Sequence, residues 1–420
     1  MVYKLYLNWH YFANYLELSI GIGRNVTASL SHTSGRSGPP VPIHRPDNLW
    51  KTLSKNFGAT DDQHSITVMP SMAVPFNEPT AGTLMKKFRF AALAASALAG
   101  ATMLTSLPAA AQVDPNRFLD QFEATFGKFE GFRRSGAKGV CAVGEFTGSA
   151  EGRALSVSSA FSGRPVPVVA RFSVGGANPK AADNVRGQRN MALQFNLPGG
   201  EVWQMGNISA PVFGAANPEQ FLGRLQSLQP DPATKAPDPA KVKAFADANP
   251  EVLLQGRYFA GQPVPASFAA LNYWGVHAFA FVNARGEKQF GKWTFEPVGG
   301  TSSLTDDEAR ARGANFLFDD LRQRVATGGV AFDFSLQLAQ PGDKIYSAVV
   351  PLPDDRRKVG MGRLTIKSVA VDASGECVAI TYNPMVLPKG VEPSADPMLA
   401  ARSAPYAVGL GRRLVEGAKQ

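Results

Sequence analysis

Two side chains near the C-terminus, Arg402 and Tyr406, have the types and the spacing to hold a phenol against a metal ion, with the arginine as its charge partner. Residues four apart lie on the same face of a helix, so the guanidinium can reach the phenol oxygen. Because arginine keeps its proton, its fixed charge favours the phenolate over the phenol, and a phenolate is a hard ligand suited to ferric iron. The alternative is a solvated or half-buried surface pair, which these two residue types also form at helical spacing.

Five segments of the chain, in the right order, resemble segments of catalases: residues 169–176, 189–195, 206–213, 272–279 and 387–402. They fall within residues 115–415, and five ordered matches are far more specific than any single one. The string from Cys141 to Arg153 is similar to a small, mostly bacterial branch of the superfamily, the catalase-related peroxidases. The chain therefore resembles that branch more than the full-length catalases.

The resemblance implies an α+β fold: a catalase-like antiparallel eight-stranded β-barrel with inserted and C-terminal helices, and haem b buried between barrel and helices. Tyr406 would be the axial ligand of the haem iron, and Arg402 its charge partner. Asn207 matches the distal asparagine, which donates a hydrogen bond to peroxide. The resemblance also assigns three arginines to the haem propionates and two aromatic residues to the haem pocket: Arg133, Arg171, Arg413, Phe213 and Phe221.

Each of these residues also has an ordinary structural interpretation. The arginines could be surface charges, and Asn207 could be a turn residue between a glycine and a proline-bearing turn. Plain core packing would equally place phenylalanine at the two aromatic positions. Gly214 stands where the larger catalases often have a second phenylalanine, which implies a wider channel.

The distal side departs from the family pattern at Gly136. Catalases carry an acid–base histidine in a motif of the form Arg-x-x-His-Ala-Lys-Gly, and the aligned residues here are Arg133-Arg-Ser-Gly-Ala-Lys-Gly139. Loss of a positioned acid or base costs about 10²–10⁴-fold in rate. Ser135 is a poor base at neutral pH, and the space that Gly136 leaves has room for a water molecule. His277, the one histidine after residue 85, is interpreted as a core or pocket-wall residue, with a distal base as the alternative.

Three functions are compatible with this pattern. The first is an exported haem peroxidase that reduces organic hydroperoxides or hydrogen peroxide. Peroxide would oxidise the tyrosinate-ligated iron to a ferryl species, which an unidentified reductant returns to ferric, and the missing histidine predicts weak activity. The second is a haem-binding pseudoenzyme that stores or senses haem. The third is a barrel that binds a lipid-like ligand and no haem. We favour the first, because most of the pocket signature is retained.

The N-terminal part of the chain does not have the pattern of a folded domain. Residues 1–84 lack a sustained period, which indicates loop or disorder. Residues 85–111 combine a basic start, a weakly hydrophobic middle and a small-residue cleavage site, the three parts of a secretory signal peptide. We therefore expect translation to start at Met85, no function for residues 1–84, and a periplasmic or secreted haem domain at 112–420. The alternative is an internal membrane helix at 90–107, which is barely long enough to span a bilayer.

Charge and cysteine content narrow the partners and the compartment. The formal net charge is +9, and nine basic and five acidic residues precede Gln112, which leaves +5 for the remainder. This positive charge is small, and the basic residues are scattered along the sequence. The pattern argues against nucleic-acid binding and leaves small molecules as the expected partners. Cys141 and Cys377 could form a disulfide, which would stabilise an exported protein by about 4–5 kcal/mol in the chain-entropy model, or could be two buried thiols.

Periodicity, capping residues and turn residues predict the elements that position these residues. Helices are predicted from residue 114 to about 129, from 238, from a capping box at 305–308, and from 396 through Tyr406, with a kink at Pro405. Strands are predicted at residues 155–161, 166–174, 191–197, 277–283, 289–295, 330–338, 364–371 and 377–382. Two groups of strands with helices between and after them are typical of an α+β barrel protein.

Overall fold

The computed structural model describes residues 113–371 and 374–417. Residues 1–84 and the predicted signal peptide at 85–111 lie outside the described residues. Within the described ranges, the strands are β1 (Gly139–Gly148), β2 (Val166–Val174), β3 (Arg189–Asn196), β4 (Val202–Ile208), β5 (Val264–Pro265), β6 (Tyr273–Trp274), β7 (Phe279–Val282), β8 (Lys288–Pro297), β9 (Ser303–Leu304), β10 (Ala331–Leu338), β11 (Lys358–Val369) and β12 (Val391–Pro393).

Eight of these strands close into an antiparallel barrel. Their order is β10-β11-β1-β2-β3-β4-β6-β8, and β8 pairs back to β10 along its length. β7 pairs with the first half of β8, next to β6, and carries β12 on its other edge. Closure leaves no exposed sheet edge between the eight strands. The eight-stranded barrel predicted from the sequence resemblance is confirmed.

Side chains fill the interior of the barrel. β3 and β10 alternate between buried and partly exposed residues, as period-two strands do. The inward positions carry large aromatic side chains that are almost fully buried and pack edge to face, among them Phe146, Phe195, Trp203, Trp293 and Phe334. An eight-stranded barrel is just wide enough for such a filling. A large ligand must therefore bind outside the barrel wall.

The helices lie outside the barrel. They are α1 (Pro115–Phe126), α2 (Ala150–Leu155), α3 (Pro218–Ser227), α4 (Pro239–Ala248), α5 (Val252–Gly261), α6 (Asp306–Ala311), α7 (Phe316–Ala326), α8 (Pro397–Ala400) and α9 (Ser403–Gly417). The predicted starts at Pro115 and Pro239 are confirmed, each with an aspartate N-cap, as is the capping box of Thr305 and Glu308. No helix in the described residues has the length and hydropathy to cross a membrane.

Helices α1, α3 and α9 pack together as a wall that faces the barrel. Leu119 and Leu225 belong to the apolar cluster between α1 and α3, and Val408 of α9 packs against it. Arg134, just before β1, ties this wall to the barrel. It donates to Glu416 of α9 over 2.6 Å and to Glu123 of α1 over 2.8 Å. Because these ion pairs are largely buried, they fix the two helices against the strand that follows.

Three local predictions were wrong. Residues 155–161, predicted as a strand, end α2 and form a 3-10 turn, because Ser149 and Ser158 each accept a backbone N–H at the N-cap position. Residues 377–382, also predicted as a strand, begin in a 3-10 turn and are otherwise irregular. The predicted C-terminal helix from residue 396 is divided into α8 and α9.

The two cysteines form a disulfide. Cys141 of β1 and Cys377 are joined across a sequence separation of 236, with their Cα atoms 5.3 Å apart. Of the two alternatives left open by the sequence, the structure shows the disulfide. It attaches the irregular segment after β11 to the barrel wall.

Candidate active site

One cavity of about 660 Å³ lies between the outer face of the barrel and the wall of helices. Residues of β2, β3 and β4 line one side, and residues of α1, α3 and α9 line the other. All nine site residues that the sequence predicted line this cavity: Arg133, Gly136, Arg171, Asn207, Phe213, Phe221, Arg402, Tyr406 and Arg413. Its volume is in the range of ligand and cofactor pockets. The structure thus brings together residues from distant parts of the chain.

The phenol of Tyr406 is held by Arg402 at the start of α9. The Tyr406 N–H donates to the Arg402 carbonyl over 3.2 Å, an i to i−4 bond that puts both side chains on one face. Nη2 of Arg402 donates to the phenol oxygen, and the guanidinium carbon lies 5.2 Å from the ring centroid. Pro405 lies in the first turn of α9, where its missing N–H removes no helical bond, and the helix predicted from residue 396 is interrupted just before it, at Ala401 and Arg402. A permanent cation therefore contacts the phenol oxygen.

His277 and Asp396 orient Arg402. Nε2 of His277 lies 3.2 Å from Nη1 of Arg402, and Nδ1 of His277 lies 2.8 Å from Oδ2 of Asp396. Because arginine can only donate, Nε2 is the acceptor, and Nδ1 carries the proton that it donates to Asp396. Burial lowers the pKa of His277, the hydrogen bond to Asp396 opposes this, and the charge of Arg402 lowers the pKa further. The imidazole is therefore a neutral positioning group on the tyrosine side of the cavity.

Three arginines form a second polar region of the cavity, which we call the arginine cluster: Arg133, Arg171 and Arg413. Arg171 donates to the Gly136 carbonyl over 2.7 Å, and Arg133 donates to the Cys377 carbonyl over 2.9 Å. Burial, and then the charges of Arg171 and Arg413, lower the pKa of Arg133 to about 9. Burial also lowers the pKa of Arg171, to about 10, and that of Arg413.

None of these arginines pairs with a carboxylate of the described residues. Buried cations that crowd one another are stabilised by anions, and a guanidinium matches a carboxylate in shape. The arginine cluster thus fits a ligand with more than one carboxylate. Together with the phenol of Tyr406 beside a fixed positive charge and the apolar side chains of the same cavity, this donor set fits haem.

A hydroxyl and two amides border the space beside Gly136. Gly136 has φ +62°, and a Cβ atom there would lie 2.9 Å from Oγ of Ser173 and 3.4 Å from Nδ2 of Asn190. Nδ2 of Asn190 donates to Oγ of Ser173 over 3.1 Å, and Nε2 of Gln188 donates to Oδ1 of Asn190 over 2.6 Å. The Ser173 hydroxyl thus accepts one hydrogen bond and keeps its own proton to donate into the cavity.

Asn207 lies almost fully buried at the end of β4, and neighbouring residues hold its amide. Its Oδ1 accepts from the indole Nε1 of Trp293 over 2.7 Å, and its Nδ2 donates to the carbonyl of Met191 over 3.0 Å. An amide nitrogen has two protons, and Met191 uses one of them. A single N–H of Asn207 is left for a ligand in the cavity.

Phe213 and Phe221 are in contact, with ring centroids 5.3 Å apart, and both line the cavity. The wider channel predicted at Gly214 is not open space. The guanidinium of Arg224 lies against Gly214, where a Cβ atom would collide with it. An arginine therefore occupies much of the room that the missing side chain leaves.

Several functional positions were missed in the sequence. Asp396-Pro397 was read only as a helix start, although Asp396 also accepts the imidazole proton while it caps α8. His277 stands out in the sequence as the one histidine after residue 85. Its hydrogen-bond partners could not be predicted, because they are 119 and 125 residues away in the chain. No sequence signal marked the contact of Trp293 with Asn207, because it joins β8 to β4, which are 86 residues apart in the chain and separated in the sheet by the two-residue strand β6.

Comparison with known proteins agrees with this geometry. The family model described as Catalase matches residues 132–419. A catalase-related peroxidase of Synechococcus elongatus is 40% identical over 327 residues, which cover 78% of this chain and 96% of that protein. A catalase-related peroxidase of Mycolicibacterium paratuberculosis is 30% identical over 302 residues, 71% of this chain and 94% of that protein. Catalase of Sus scrofa is 27% identical over 284 residues, which are 64% of this chain but only 54% of that protein.

Solved structures of catalases share the fold. A fungal catalase superposes with a TM-score of 0.62 at 20% identity, over 69% of this chain and 61% of that one. A bacterial catalase superposes with the same TM-score at 22% identity, over 67% of this chain and 57% of that one. Membership of the family implies a haem cofactor and a peroxide substrate. The chain belongs to the catalase family, in its branch of small catalase-related peroxidases.

Proposed function

We propose that the protein is an exported haem b peroxidase that reduces organic hydroperoxides, or hydrogen peroxide, at the expense of a small-molecule reductant. The observation that carries this proposal is the hydrogen-bonded chain from Asp396 through His277 and Arg402 to Tyr406. It places a phenol and a fixed positive charge on the same cavity as the arginine cluster. A barrel that serves only as a scaffold has no need of that combination.

The residues of the cavity divide into those that hold the cofactor and those that meet peroxide. Tyr406 would bind the iron as a phenolate, and Arg402 would stabilise that charge. The arginine cluster would bind the propionates of the haem, and Phe213 and Phe221 would pack against its apolar part. When bound, haem supplies the redox chemistry that cleaves the O–O bond of a hydroperoxide.

On the side of Gly136, the described residues that line the cavity offer hydrogen-bond donors and no histidine or carboxylate base. The Ser173 hydroxyl and the remaining N–H of Asn207 can orient a peroxide oxygen, and a water molecule beside Gly136 can carry its proton. Neither side chain takes up a proton at neutral pH. We therefore expect turnover to be slower than with a positioned imidazole by about 10²–10⁴-fold.

The test is the visible spectrum of the haem-loaded protein before and after an alkyl hydroperoxide is added. A phenolate-type ferric spectrum that changes with hydroperoxide and returns with a reductant supports the proposal, provided that the alcohol product accumulates. A ferric spectrum that hydroperoxide leaves unchanged contradicts it. A protein that binds no haem excludes both this function and the next.

A second candidate, a haem-binding pseudoenzyme, is favoured by one specific pair of observations. The histidine position is Gly136, and the Asn207 amide is already bonded to Trp293 and Met191. Tyr406 and its partners could therefore still bind haem after the Gly136 side of the cavity had lost its ability to react with peroxide. Tight haem binding without consumption of any hydroperoxide would support this candidate over the first.

Export rests on the signal-peptide pattern of residues 85–111. The disulfide between Cys141 and Cys377 supports it, because such bonds persist mainly in oxidising compartments. Cell fractionation and N-terminal sequencing of the natural protein would test it. A mature N-terminus near Gln112 in the periplasm or medium is expected, and an uncleaved cytosolic protein would contradict export.

A further inference from the structure

Arg224 is a cation on the cavity wall whose side chain has no polar partner among the described residues. It lies on α3, three residues after Phe221, so both side chains are on the same face of the helix. Its side chain makes no hydrogen bond or ion pair with any residue in 113–371 or 374–417. Its partial burial lowers the pKa of the guanidinium, with no compensating carboxylate nearby. Charges that leave water without a partner are costly, so such an arginine is typical of a site for an anion.

Arg224 is separate from the arginine cluster. The charges of Arg171 and Arg413 both lower the pKa of Arg133, and Arg413 also lowers the pKa of Arg171. For Arg224, burial alone lowers the pKa, with no contribution from another arginine. The contacts agree, because Arg133 and Arg171 donate to the carbonyls of Cys377 and Gly136, whereas the guanidinium of Arg224 lies against Gly214.

Gly214 makes room for this guanidinium. A Cβ atom built on Gly214 would collide with Nη1 of Arg224 and would lie 2.9 Å from Oε1 of Gln255. Any side chain at position 214 would thus displace Arg224 from the wall. The amide of Gln255 is fixed by its hydrogen bond to the carbonyl of Val212 over 3.2 Å.

Apolar side chains of α1 and α3 line the same cavity as Arg224. They are aromatic and aliphatic: Phe118, Leu119, Phe122, Phe126, Leu225 and Leu228. The rings of Phe118 and Phe221 are 5.3 Å apart, which continues the aromatic wall from the helices toward the predicted haem pocket. One cation on an apolar wall complements a ligand with a long hydrocarbon part and one negative charge.

We propose that Arg224 binds the carboxylate of a long-chain fatty acid hydroperoxide, whose hydrocarbon chain lies along the apolar wall of α1 and α3. This inference rests on the proposed peroxidase function and names its substrate class. A guanidinium and a carboxylate form two parallel hydrogen bonds. Such charged hydrogen bonds correspond to about 10- to 100-fold in affinity, and an ester of the same chain length cannot form them as an ion pair.

The first experiment compares linoleic acid hydroperoxide with its methyl ester as substrates of the haem-loaded full chain. We expect kcat/KM for the acid to exceed that for the ester by about 10- to 100-fold. In Arg224→Met, a variant of similar side-chain length, the ratio should fall towards one, and Arg224→Lys should restore part of it. Gly214→Ala, which leaves Arg224 in the sequence but displaces it, should also lower the ratio.

Arg257→Met is the matched control. Arg257 is an exposed arginine on α5 that does not line the cavity, so its loss removes the same charge from the surface. Its acid-to-ester ratio should equal that of the unmodified protein. Equal use of acid and ester by the unmodified protein would overturn the proposal, as would an equal fall of the ratio in Arg257→Met and Arg224→Met.

A binding measurement separates this proposal from the peroxidase function. Calorimetric titration with linoleate, which has no O–O bond, should show binding to the haem-loaded protein and about 10- to 100-fold weaker binding to Arg224→Met. A protein that binds linoleate through Arg224 but consumes no hydroperoxide has the site without the reaction. A protein that consumes cumene hydroperoxide but binds linoleate equally with and without Arg224 has the reaction without the site.

Discussion

Nε2 of His277 accepts a hydrogen bond from Nη1 of Arg402 over 3.2 Å, and this contact aims the guanidinium at the phenol of Tyr406. A neutral imidazole is required, because a protonated ring would offer a second donor to an arginine that can only donate. The last link of the chain, Asp396, holds the ring by Nδ1 and is itself fixed as the N-cap of α8. The geometry at Tyr406 therefore depends on His277 and Asp396, which are not among the residues that line the cavity.

Tyr406→Phe should abolish the phenolate-type spectrum and weaken haem binding by more than about 100-fold, because the ligand atom is removed while the ring remains. Unfolding of the protein without haem should change little. Haem titration followed by absorbance is the measurement, with Tyr258→Phe, outside the cavity, as the control. Unchanged haem affinity and spectrum in Tyr406→Phe would mean that another residue binds the iron.

The buried imidazole of His277 should make the folded protein less stable in mild acid. Burial lowers its pKa in the folded state, so as pH falls below about 6.5 the unfolded chain takes up the proton first. The contribution of the neutral imidazole to the free energy of unfolding is therefore fully present above about pH 6.5. It is lost as the pH falls towards the pKa of the folded state, by at most about 1.4 kcal/mol per pH unit. Urea unfolding between pH 8 and pH 5 should show this slope in the unmodified protein and a smaller slope in His277→Leu. Identical slopes in the two proteins would rule out the imidazole as the cause.

Gly136→His should restore a distal base, but at a cost in strain. Its φ of +62° disfavours most side chains, and its Cβ would press on Oγ of Ser173. The double variant with Ser173→Ala relieves that contact, and we expect it to raise the rate of hydroperoxide consumption by about 10²-fold or more. Gly136→Ala, which has the same backbone strain without an imidazole, should show no gain. Failure of the double variant to exceed Gly136→Ala would show that the pocket needs more than the missing base.

Removal of the disulfide should destabilise the protein by about 5 kcal/mol in the chain-entropy model, because the bond closes a loop of 236 residues. The variant Cys141→Ala/Cys377→Ala should also bind haem more weakly, since the Cys377 and Ile380 carbonyls hold Arg133. Denaturant unfolding with and without a reducing agent is the measurement. The double variant should be insensitive to reductant, and an unmodified protein that is equally insensitive would contradict a disulfide in solution.

The sequence by itself predicted the barrel, through its family resemblance, and nine of the residues that line the cavity. Five ordered segments resembled one family, and strands such as Ala331–Leu338 alternate with a period of two, which any closed sheet with a filled interior imposes. Local signals were also sufficient for helix starts, because aspartate followed by proline satisfies the first turn within the segment itself. The absence of a histidine at Gly136 could also be predicted from the sequence, because it concerns the residue type at a single position.

The tertiary structure alone decided which groups act on those residues. His277 and Arg402 are 125 residues apart, and Trp293 and Asn207 are 86 residues apart, so neither contact has a spacing that a sequence pattern could show. The same holds for Arg224, whose guanidinium occupies the room left by Gly214 in another segment of the chain. Hydrogen bonds and charges act through distances of a few ångströms in space, and only the folded chain sets those distances.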